Sequence, residues 1–259
     1  MAEKLKVALL QANLEWEKIE ANKALFEKKI KALSADVDLI VLPEMFTTGF
    51  SMNASELAEL PNGPSFRWMQ KMASEKQAAV TGSLIILDKG KYYNRLYFVF
   101  PDGAFQKYDK RHTFTLAKEN ETYASGEERL VVGYKGWKIC PLVCYDLRFP
   151  VWSRNTEDYD LLIYVANWPA ARILAWDTLL RARAIENMSY CIGLNRVGTD
   201  GKNLDYVGHS AVYDSLGKKV STHSTEDEFS EEIVLEKAHL SETRSQLRFL
   251  QDRDRFTLD

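Results

Sequence analysis

Cys144 is the residue whose type and position best suit chemistry in this sequence of 259 residues. It follows an apolar run at 139–143, which predicts a buried strand, and it precedes a Phe149-Pro150 pair that suits a helix start. A cysteine at such a junction lies at a sheet edge beside free backbone N–H groups. These groups lower the pKa of a thiol and can stabilise an oxyanion. The alternative is an ordinary buried cysteine, because free cysteine is among the most buried residue types.

Two further polar positions follow predicted buried strands. Glu44 comes shortly after the apolar run at 38–42, and Asn167-Trp168 follows another run that ends at 166. In open α/β sheets, ligands bind outside the carboxyl ends of the strands. We therefore expect Glu44, Cys144 and the Asn167-Trp168 pair to converge at one edge. A helix-capping or solvated carboxylate is the alternative for Glu44.

A long polar connection at 109–126 carries Lys110 and Glu119. Connections of this length are usually functional or disordered. A solvated cation is the alternative for Lys110, and a carboxylate in a wet loop is the alternative for Glu119.

Other chemistries are mostly excluded by their missing motifs. The histidines, which show no metal-ligand spacing, are His112, His209, His223 and His239. The sequence has no CxxC pair, no glycine-rich phosphate or dinucleotide motif and no GxSxG. A papain-like site would need His112 or His209 beside Cys144. The residues that flank a papain-type cysteine are absent, but this alternative stays open.

The bulk composition is that of a globular protein with no nucleic-acid partner and no membrane segment. The net charge is -3, and no basic run is interleaved with aromatic residues. An odd number of cysteines, 3 in all, fits a reducing compartment, and no apolar run reaches membrane-spanning length. The apolar stretch near the N-terminus is too short for a signal peptide. A cytoplasmic location is therefore expected.

The elements that must position these residues alternate between strand and helix, as in an α/β architecture. Predicted strands cover 6–12, 38–42, 79–87, 92–100, 105–108, 130–132, 137–143, 159–166, 190–196, 209–213 and 231–235. Predicted helices cover 14–33, 64–77, 172–188 and 241–255. One open sheet with so many strands would curl, which favours two stacked sheets with helices outside. No linker or repeat divides the chain, so residues 1–259 are predicted to form a single domain.

Three short motifs give the chain a family resemblance. They are LPEMF around Glu44, YDKRH around Lys110 and CYDLRFP around Cys144, in that order. With them, the chain resembles the nitrilase superfamily of carbon–nitrogen hydrolases along essentially its whole length. NWPAAR at 167–172 and the Glu-Asn pair at 186–187 resemble the ω-amidase branch, whose bacterial members act on 2-oxoglutaramate.

The resemblance implies a fold and a set of catalytic residues. The fold would be a four-layer αββα sandwich. The Glu-Lys-Cys triad of the family falls on Glu44, Lys110 and Cys144. A second glutamate falls on Glu119, and a shifted register would place it on Glu121.

The roles of the family's residues suit the residue types found here. Cys144 would attack an amide carbonyl, and Glu44 would act as general base on the thiol and later on the hydrolytic water. Lys110 and the backbone N–H of Tyr145 would stabilise the oxyanion. Glu119 would orient Lys110 or the substrate amide. No metal or organic cofactor is needed.

Substrate contacts are assigned to cationic and aromatic residues. Arg172 and Arg148 are the cations available for a carboxylate, which a guanidinium fork suits. We assign the carboxylate to Arg172 and expect a structural ion pair at Arg148. Trp168 and Phe114 would wall the pocket, although aromatic core packing is the competing explanation for both.

The sequence thus predicts an ω-amidase that releases ammonia from 2-oxoglutaramate or 2-oxosuccinamate. An amidase of the same family that acts on deaminated glutathione or an N-carbamoyl compound is one alternative. A non-catalytic binding protein on the same scaffold is another. The resemblance also implies a homodimer that pairs through outer helices.

Overall fold

Two β-sheets and the helices outside them make up the structure, a computed structural model that describes residues 3–223 and 226–257. The strands are β1 (Lys4–Gln11), β2 (Leu39–Val41), β3 (Ala79–Asp88), β4 (Lys91–Val99), β5 (Phe105–Asp109), β6 (Val132–Tyr134), β7 (Trp137–Val143), β8 (Leu161–Ala166), β9 (Tyr190–Asn195), β10 (Val197–Thr199), β11 (Asp205–Val207), β12 (Ala211–Tyr213) and β13 (Phe229–Glu236). The α-helices are α1 (Ile19–Ala32), α2 (Ala54–Leu57), α3 (Pro64–Lys76), α4 (Glu119–Thr122), α5 (Pro150–Ser153), α6 (Ile173–Asn187) and α7 (Lys237–Leu247). Short 3₁₀ helices lie at Thr115–Ala117, Cys144–Arg148, Ala170–Arg172 and Phe249–Asp252. Across these described stretches, no helix is both long and apolar enough to cross a membrane.

The two large sheets share a plan of parallel central strands with antiparallel edges. One sheet has the order β13-β1-β2-β3-β4-β5, and the other has the order β12-β9-β8-β7-β6. Strands β1, β2 and β3 run parallel, as do β7, β8 and β9. Parallel strands place their carboxyl ends at the same edge of a sheet, so this plan gathers the loops that follow them.

The alternation of side chains along β1 explains why the sheets stack. Leu5, Val7 and Leu9 are fully buried in the cluster that also contains the strands of the second sheet. Ala8 and Leu10 point to the opposite face, into the cluster that contains α1 and α3. Because successive side chains of a strand point to opposite faces, a strand buried on both sides must lie in an inner layer.

The outer face of the second sheet is covered by α6. Trp176 and Leu180 are completely buried there, and a Cβ atom at Gly193 of β9 would lie 2.2 Å from Leu180 Cδ1. The glycine therefore permits the close approach of helix and strand. With α1 and α3 on one side and α6 on the other, the predicted four-layer αββα sandwich is confirmed.

Element ends differ from the predicted ones where the backbone turns left-handed. The first helix begins at Ile19 rather than at position 14, because Glu17 has a φ of +57°. The last helix spans 237–247 rather than 241–255, because Arg248 has a φ of +54° and ends it. Such conformations interrupt a right-handed helix.

Candidate active site

Four polar residues that follow strand ends meet at one edge of the sandwich. Glu44 comes three residues after β2, and Lys110 directly follows β5. Cys144 directly follows β7, and Asn167 directly follows β8. The first two belong to the six-stranded sheet and the last two to the five-stranded sheet. The site therefore exists only where the two sheets are stacked.

Cys144, the first residue of the 3₁₀ helix that follows β7, has a left-handed backbone with a φ of +46°. In a non-glycine residue this conformation costs about 1–3 kcal/mol, and such strain is concentrated at functional sites. Both Cys144 and Tyr145 line the pocket. The N–H of Tyr145 lies in the first turn of the 3₁₀ helix, where no intrahelical acceptor is available. The turn thus places a thiol and a free donor next to each other.

Glu44 is completely buried and held by donors from three elements. Its Oε1 accepts hydrogen bonds from Lys110 Nζ at 2.9 Å and from Asn94 Nδ2 at 2.8 Å. Its Oε2 accepts the backbone N–H of Asn167 at 2.8 Å, while Asn167 Nδ2 donates to the Glu44 carbonyl at 2.6 Å. A carboxylate fixed in this way keeps one orientation toward the pocket.

Lys110 bridges Glu44 and Glu119 in the interior. Its Nζ lies 2.9 Å from Glu44 Oε1 and 2.9 Å from Glu119 Oε2. Glu119 is completely buried and also accepts the N–H of Phe114 at 2.6 Å. Glu121, by contrast, is exposed and lies 3.7 Å from Lys118 on the surface. Of the two glutamates considered for the second carboxylate, the structure brings only Glu119 to the lysine.

Burial and charge set the protonation of these groups. Burial opposes the charged form of Lys110, but the carboxylates of Glu119 and Glu44 outweigh it and raise the pKa of the ammonium. Burial raises the pKa of Glu119, and Lys110 counteracts part of that increase. Burial likewise raises the pKa of the Cys144 thiol well above its ordinary value; Glu44 adds to the rise and Lys110 opposes it. The pKa of the thiol is thus raised, and the lowering expected from its position beside free N–H groups is wrong, so the resting nucleophile is a thiol that needs a base.

Aromatic rings line a pocket whose volume, including the space at its opening, is about 590 Å³. Phe114 packs against Tyr145 with ring centroids 4.8 Å apart, and Trp168 donates from Nε1 to the Arg172 carbonyl at 2.8 Å. The S–H of Cys144 donates weakly to the Asn167 carbonyl at 3.9 Å. Phe114, Tyr145 and Trp168 thus form aromatic walls in the same pocket as the thiol.

Two guanidinium groups line the same pocket. Arg172 lies over the ring of Phe114, 5.1 Å from its centroid, and Arg148 lies over the ring of Trp168, 4.9 Å from its centroid. Neither is paired with a carboxylate within residues 3–223 and 226–257. The expected structural ion pair of Arg148 is therefore wrong. Both cations are free to meet an anion that enters the pocket.

Several residues of the site were not predicted from the sequence. Asn94 on β4 is buried and binds Glu44, and a lone asparagine among aromatic strand residues was the available signal. The β10–β11 hairpin, which was not predicted, brings Asp200 and Tyr206 to the pocket, where the Tyr206 hydroxyl donates to Asp200 at 2.9 Å. The turn sequence at 198–203, GTDGKN, between apolar residues was its signal.

The histidines considered for a papain-like site are engaged elsewhere. His112 Nδ1 lies 2.8 Å from Asp146 Oδ1, and its ring stacks on Phe149. His209 Nδ1 lies 2.9 Å from Asp177 Oδ2. Within the part of the chain that the structure describes, neither ring forms a hydrogen bond with the thiol. The papain-like alternative is therefore wrong.

Known proteins match this chain over nearly all its length. The family model for carbon-nitrogen hydrolase matches residues 6–246. "Omega-amidase YafV" of Escherichia coli (strain K12) is 44% identical over 98% of each chain. "2-oxoglutaramate amidase" of Bacillus subtilis (strain 168) is 32% identical over 85% of this chain and 87% of its own. The crystal structure of XC1258 from Xanthomonas campestris, a CN-hydrolase superfamily protein with an arsenic adduct in its active site, superposes with a TM-score of 0.97 at 43% identity over 100% of both chains.

Proposed function

The chain belongs to the carbon–nitrogen hydrolase family, and on that premise we propose that it is an ω-amidase acting on a 2-oxo dicarboxylic acid monoamide. 2-Oxoglutaramate and 2-oxosuccinamate are the substrates considered. The observation that carries the proposal is the buried Glu44–Lys110–Glu119 cluster beside the strained Cys144 turn, in a pocket lined by two guanidinium groups. The names of the bacterial relatives support the same reaction.

The first half of the proposed reaction forms a thioester. The Glu44 carboxylate takes the proton of the Cys144 thiol as sulfur bonds to the amide carbonyl carbon. The negative charge that develops on the carbonyl oxygen is stabilised by Lys110 and by the N–H of Tyr145. Collapse of this intermediate breaks the C–N bond, and the protonated Glu44 gives its proton to the departing ammonia.

The second half regenerates the enzyme. Water attacks the thioester carbonyl while the Glu44 carboxylate accepts a proton from it. The tetrahedral intermediate again places its oxyanion near Lys110 and the N–H of Tyr145. Breaking the C–S bond releases the acid, and the proton held by Glu44 returns to the sulfur of Cys144.

The contacts of the Lys110 ammonium support this division of roles. Its Nζ lies 2.9 Å from Glu44 Oε1 and 3.0 and 2.9 Å from the two oxygens of Glu119. An ammonium has three donors, so the oxyanion would share a donor that also faces a carboxylate. Because Glu119 holds the ammonium from the far side, we assign it the orientation of Lys110 rather than proton transfer.

The substrate carboxylate is assigned to Arg172, with Trp168 and Phe114 as the walls of the pocket. A carboxylate that enters the pocket meets two guanidinium groups that form no ion pair among the described residues, although Asp200 also lines the pocket. Charge-assisted hydrogen bonds of this kind are roughly twice as strong as neutral ones. A substrate with an anionic end opposite its amide therefore suits the pocket.

The proposed function is tested by the release of ammonia from 2-oxoglutaramate. The wild-type protein is expected to release it and Cys144→Ala is not, while Cys140→Ala, which removes a buried thiol within β7, keeps most of the activity. Release by Cys144→Ala at the wild-type rate contradicts this nucleophile. Release by neither protein contradicts the ω-amidase and favours another substrate class or a non-catalytic binding protein.

The choice of substrate is tested by comparing kcat/KM across four amides. The kcat/KM values for the two 2-oxo acid monoamides are expected to exceed those for deaminated glutathione and an N-carbamoyl amino acid by at least about tenfold, because a polar pocket discriminates between substrates by its charged contacts. A higher kcat/KM for deaminated glutathione or the N-carbamoyl amino acid would assign the chain to another substrate class within the family.

The proposal includes a cytoplasmic homodimer. All three cysteines are free, as a reducing compartment allows. A groove outside the five-stranded sheet, lined by Val151 of α5, Glu186 of α6 and Phe256, carries exposed apolar side chains. A second copy of the chain, paired through these outer helices, would cover it.

A further inference from the structure

Asp146 is a buried carboxylate that the proposed chemistry does not use. It lies two residues after Cys144, is completely buried and accepts four hydrogen bonds. An ionised carboxylate is an acceptor with room for four donors, so its hydrogen-bonding capacity is filled. A buried group with this many partners fixes the segments that supply them.

The four donors connect two segments that are distant in sequence. The N–H of Val143 donates to Oδ2 at 3.0 Å from the end of β7. The Tyr108 hydroxyl donates to the same oxygen at 2.8 Å. The backbone N–H of His112 donates to Oδ1 at 3.1 Å, and Nδ1 of its ring lies 2.8 Å away. Tyr108 and His112 flank Lys110, two residues away on either side.

A second set of contacts extends this link. The Tyr108 hydroxyl accepts the Nε1–H of Trp152 at 3.0 Å and the backbone N–H of Arg111 at 3.1 Å. The His112 ring stacks on Phe149 with centroids 3.6 Å apart and planes 5° apart. The segment that carries the lysine is therefore fixed to both ends of the turn that carries the nucleophile.

From this geometry we propose that Asp146 is a positioning residue that sets the distance between the Lys110 ammonium and the Cys144 sulfur. The proposal rests on the proposed function, in which these two groups act on the same carbonyl. Lys110 and Cys144 come from different sheets, and Asp146 joins their segments directly. Misplacement of a catalytic group by about 1 Å can cost about 10²-fold in rate.

Asp146→Asn tests the link with little change of shape. Each carboxylate oxygen accepts one backbone N–H, from Val143 on one side and His112 on the other. In either orientation, the amide NH₂ of asparagine therefore faces a backbone donor that cannot turn away. We expect kcat on 2-oxoglutaramate to fall about 10- to 100-fold, with KM within about threefold of wild type.

Asp160→Asn is the matched control, because Asp160 is also a buried carboxylate with several hydrogen-bond and ion-pair partners. Asp160 accepts the N–H of Lys138 at 2.9 Å and pairs with Lys237 and Arg244 at 2.8 and 3.1 Å, outside the pocket. This variant is expected to lower Tm but to keep kcat within about twofold of wild type. If the two variants lose the same fraction of kcat when fully folded, or if Asp146→Asn changes only KM, Asp146 is merely structural and the proposal is wrong.

Tyr108→Phe keeps the proposal testable if Asp146→Asn does not fold. It removes no charge but removes the hydroxyl that donates to Asp146 and accepts from Trp152 and Arg111, and kcat is expected to fall at least about fivefold, the effect of losing one ordinary hydrogen bond. The double variant is expected to be no slower than Asp146→Asn alone, because both changes break the same link. A wild-type kcat for Tyr108→Phe, or independent losses that multiply in the double variant, overturns the proposal.

A readout without substrate separates this proposal from the proposed function. Iodoacetamide alkylation of Cys144, followed by mass spectrometry, reports the thiolate directly. Because the charge of Lys110 lowers the pKa of this thiol, Tyr108→Phe is expected to move the midpoint of the pH profile upward. That shift supports the positioning role even if 2-oxoglutaramate is not hydrolysed, and an unchanged midpoint contradicts the role even if it is.

Discussion

At the scale of residues, one ammonium holds two carboxylates in different roles. Glu44 binds Lys110 but also the N–H of Asn167, next to the strand end that faces the thiol. Glu119 binds Lys110 with both oxygens and also accepts the N–H of Phe114 and, at 3.3 Å, Nδ2 of Asn94. Glu44 therefore lies between the cation and the nucleophile, whereas Glu119 lies behind the cation.

Glu119→Gln is expected to lower kcat by about 10²-fold, the loss typical of a misplaced catalytic group. The amide of glutamine would turn a donor toward the Lys110 ammonium or toward the N–H of Phe114. Glu121→Gln is the matched control, because Glu121 lies on the surface and two residues away. Steady-state ammonia release measures both. Equal activities of the two variants would show that Glu119 does not contribute to catalysis.

The raised pKa of the Cys144 thiol predicts slow alkylation at neutral pH in the absence of substrate. A higher pKa means less thiolate at pH 7, so the rate constant for iodoacetamide is expected to keep rising above pH about 8.5, where an ordinary cysteine is half ionised. Lys110→Met is expected to slow the reaction further at each pH, because Lys110 lowers the pKa of the thiol. A plateau below pH 7 in the wild-type profile contradicts this assignment.

Local sequence patterns found the residues at strand ends but not those whose partners are distant. Glu44 and Cys144 each follow an apolar run, so a change in polarity marks them. Asn94 lies inside β4, so no strand end marks it. Asp146 is recognised only by its contact with Tyr108, 38 residues earlier, and a local pattern carries no information about such a contact.

At the scale of elements, the connection at 109–126 is compact and ordered by buried groups. It contains a 3₁₀ helix and α4, and it buries Glu119 and Tyr123. The Tyr123 hydroxyl donates to the Ser51 carbonyl at 2.5 Å, which ties this segment to the loop after Glu44. Its polar composition predicted a connection but not α4. This helix buries the carboxylate of Glu119, which a local pattern does not predict, because its stability there depends on the ion pair with Lys110.

Gly126→Ala is expected to destabilise the protein by about 1–3 kcal/mol, as overpacking does, and to lower kcat. A Cβ atom at Gly126 would lie 2.0 Å from the carbonyl oxygen of Asp109, next to Lys110. The N–H of Gly126 also donates to the Lys110 carbonyl at 2.9 Å, so relief of the clash moves the lysine segment. Urea unfolding measures the change in the free energy of unfolding.

Gly133→Ala on β6 is the control for this prediction. A Cβ atom at Gly133 would meet open space, so the expected change is within about 0.5 kcal/mol, as for other surface substitutions. Equal urea midpoints for the two alanine variants would show that the 109–126 segment accommodates the extra methyl group with no loss in the free energy of unfolding.

At the scale of the whole molecule, the two stacked sheets make the site and the core inseparable. The layer between the sheets includes Val7 and Leu9 of one sheet and Val143 and Val165 of the other, all completely buried. Glu44 and Cys144 extend from the ends of these same layers. The stacking follows from buried strands that are apolar on both faces, so the sequence predicts it, but the pairing order of the strands depends on contacts between distant segments.

The proposed homodimer is the prediction that belongs to this scale. Val151 is 50% exposed and Phe256 is 40% exposed in the groove outside α5 and α6. In a two-fold dimer each residue occurs twice, so Val151→Asp would bury two carboxylates at the interface and is expected to give monomers. Sedimentation velocity should find about twice the chain mass of 29.7 kDa for the wild type and for Leu60→Asp, which places the same charge on a leucine that is 65% exposed and outside the groove. A wild-type mass of one chain excludes the dimer, and dissociation by Leu60→Asp but not by Val151→Asp moves the interface to the opposite layer.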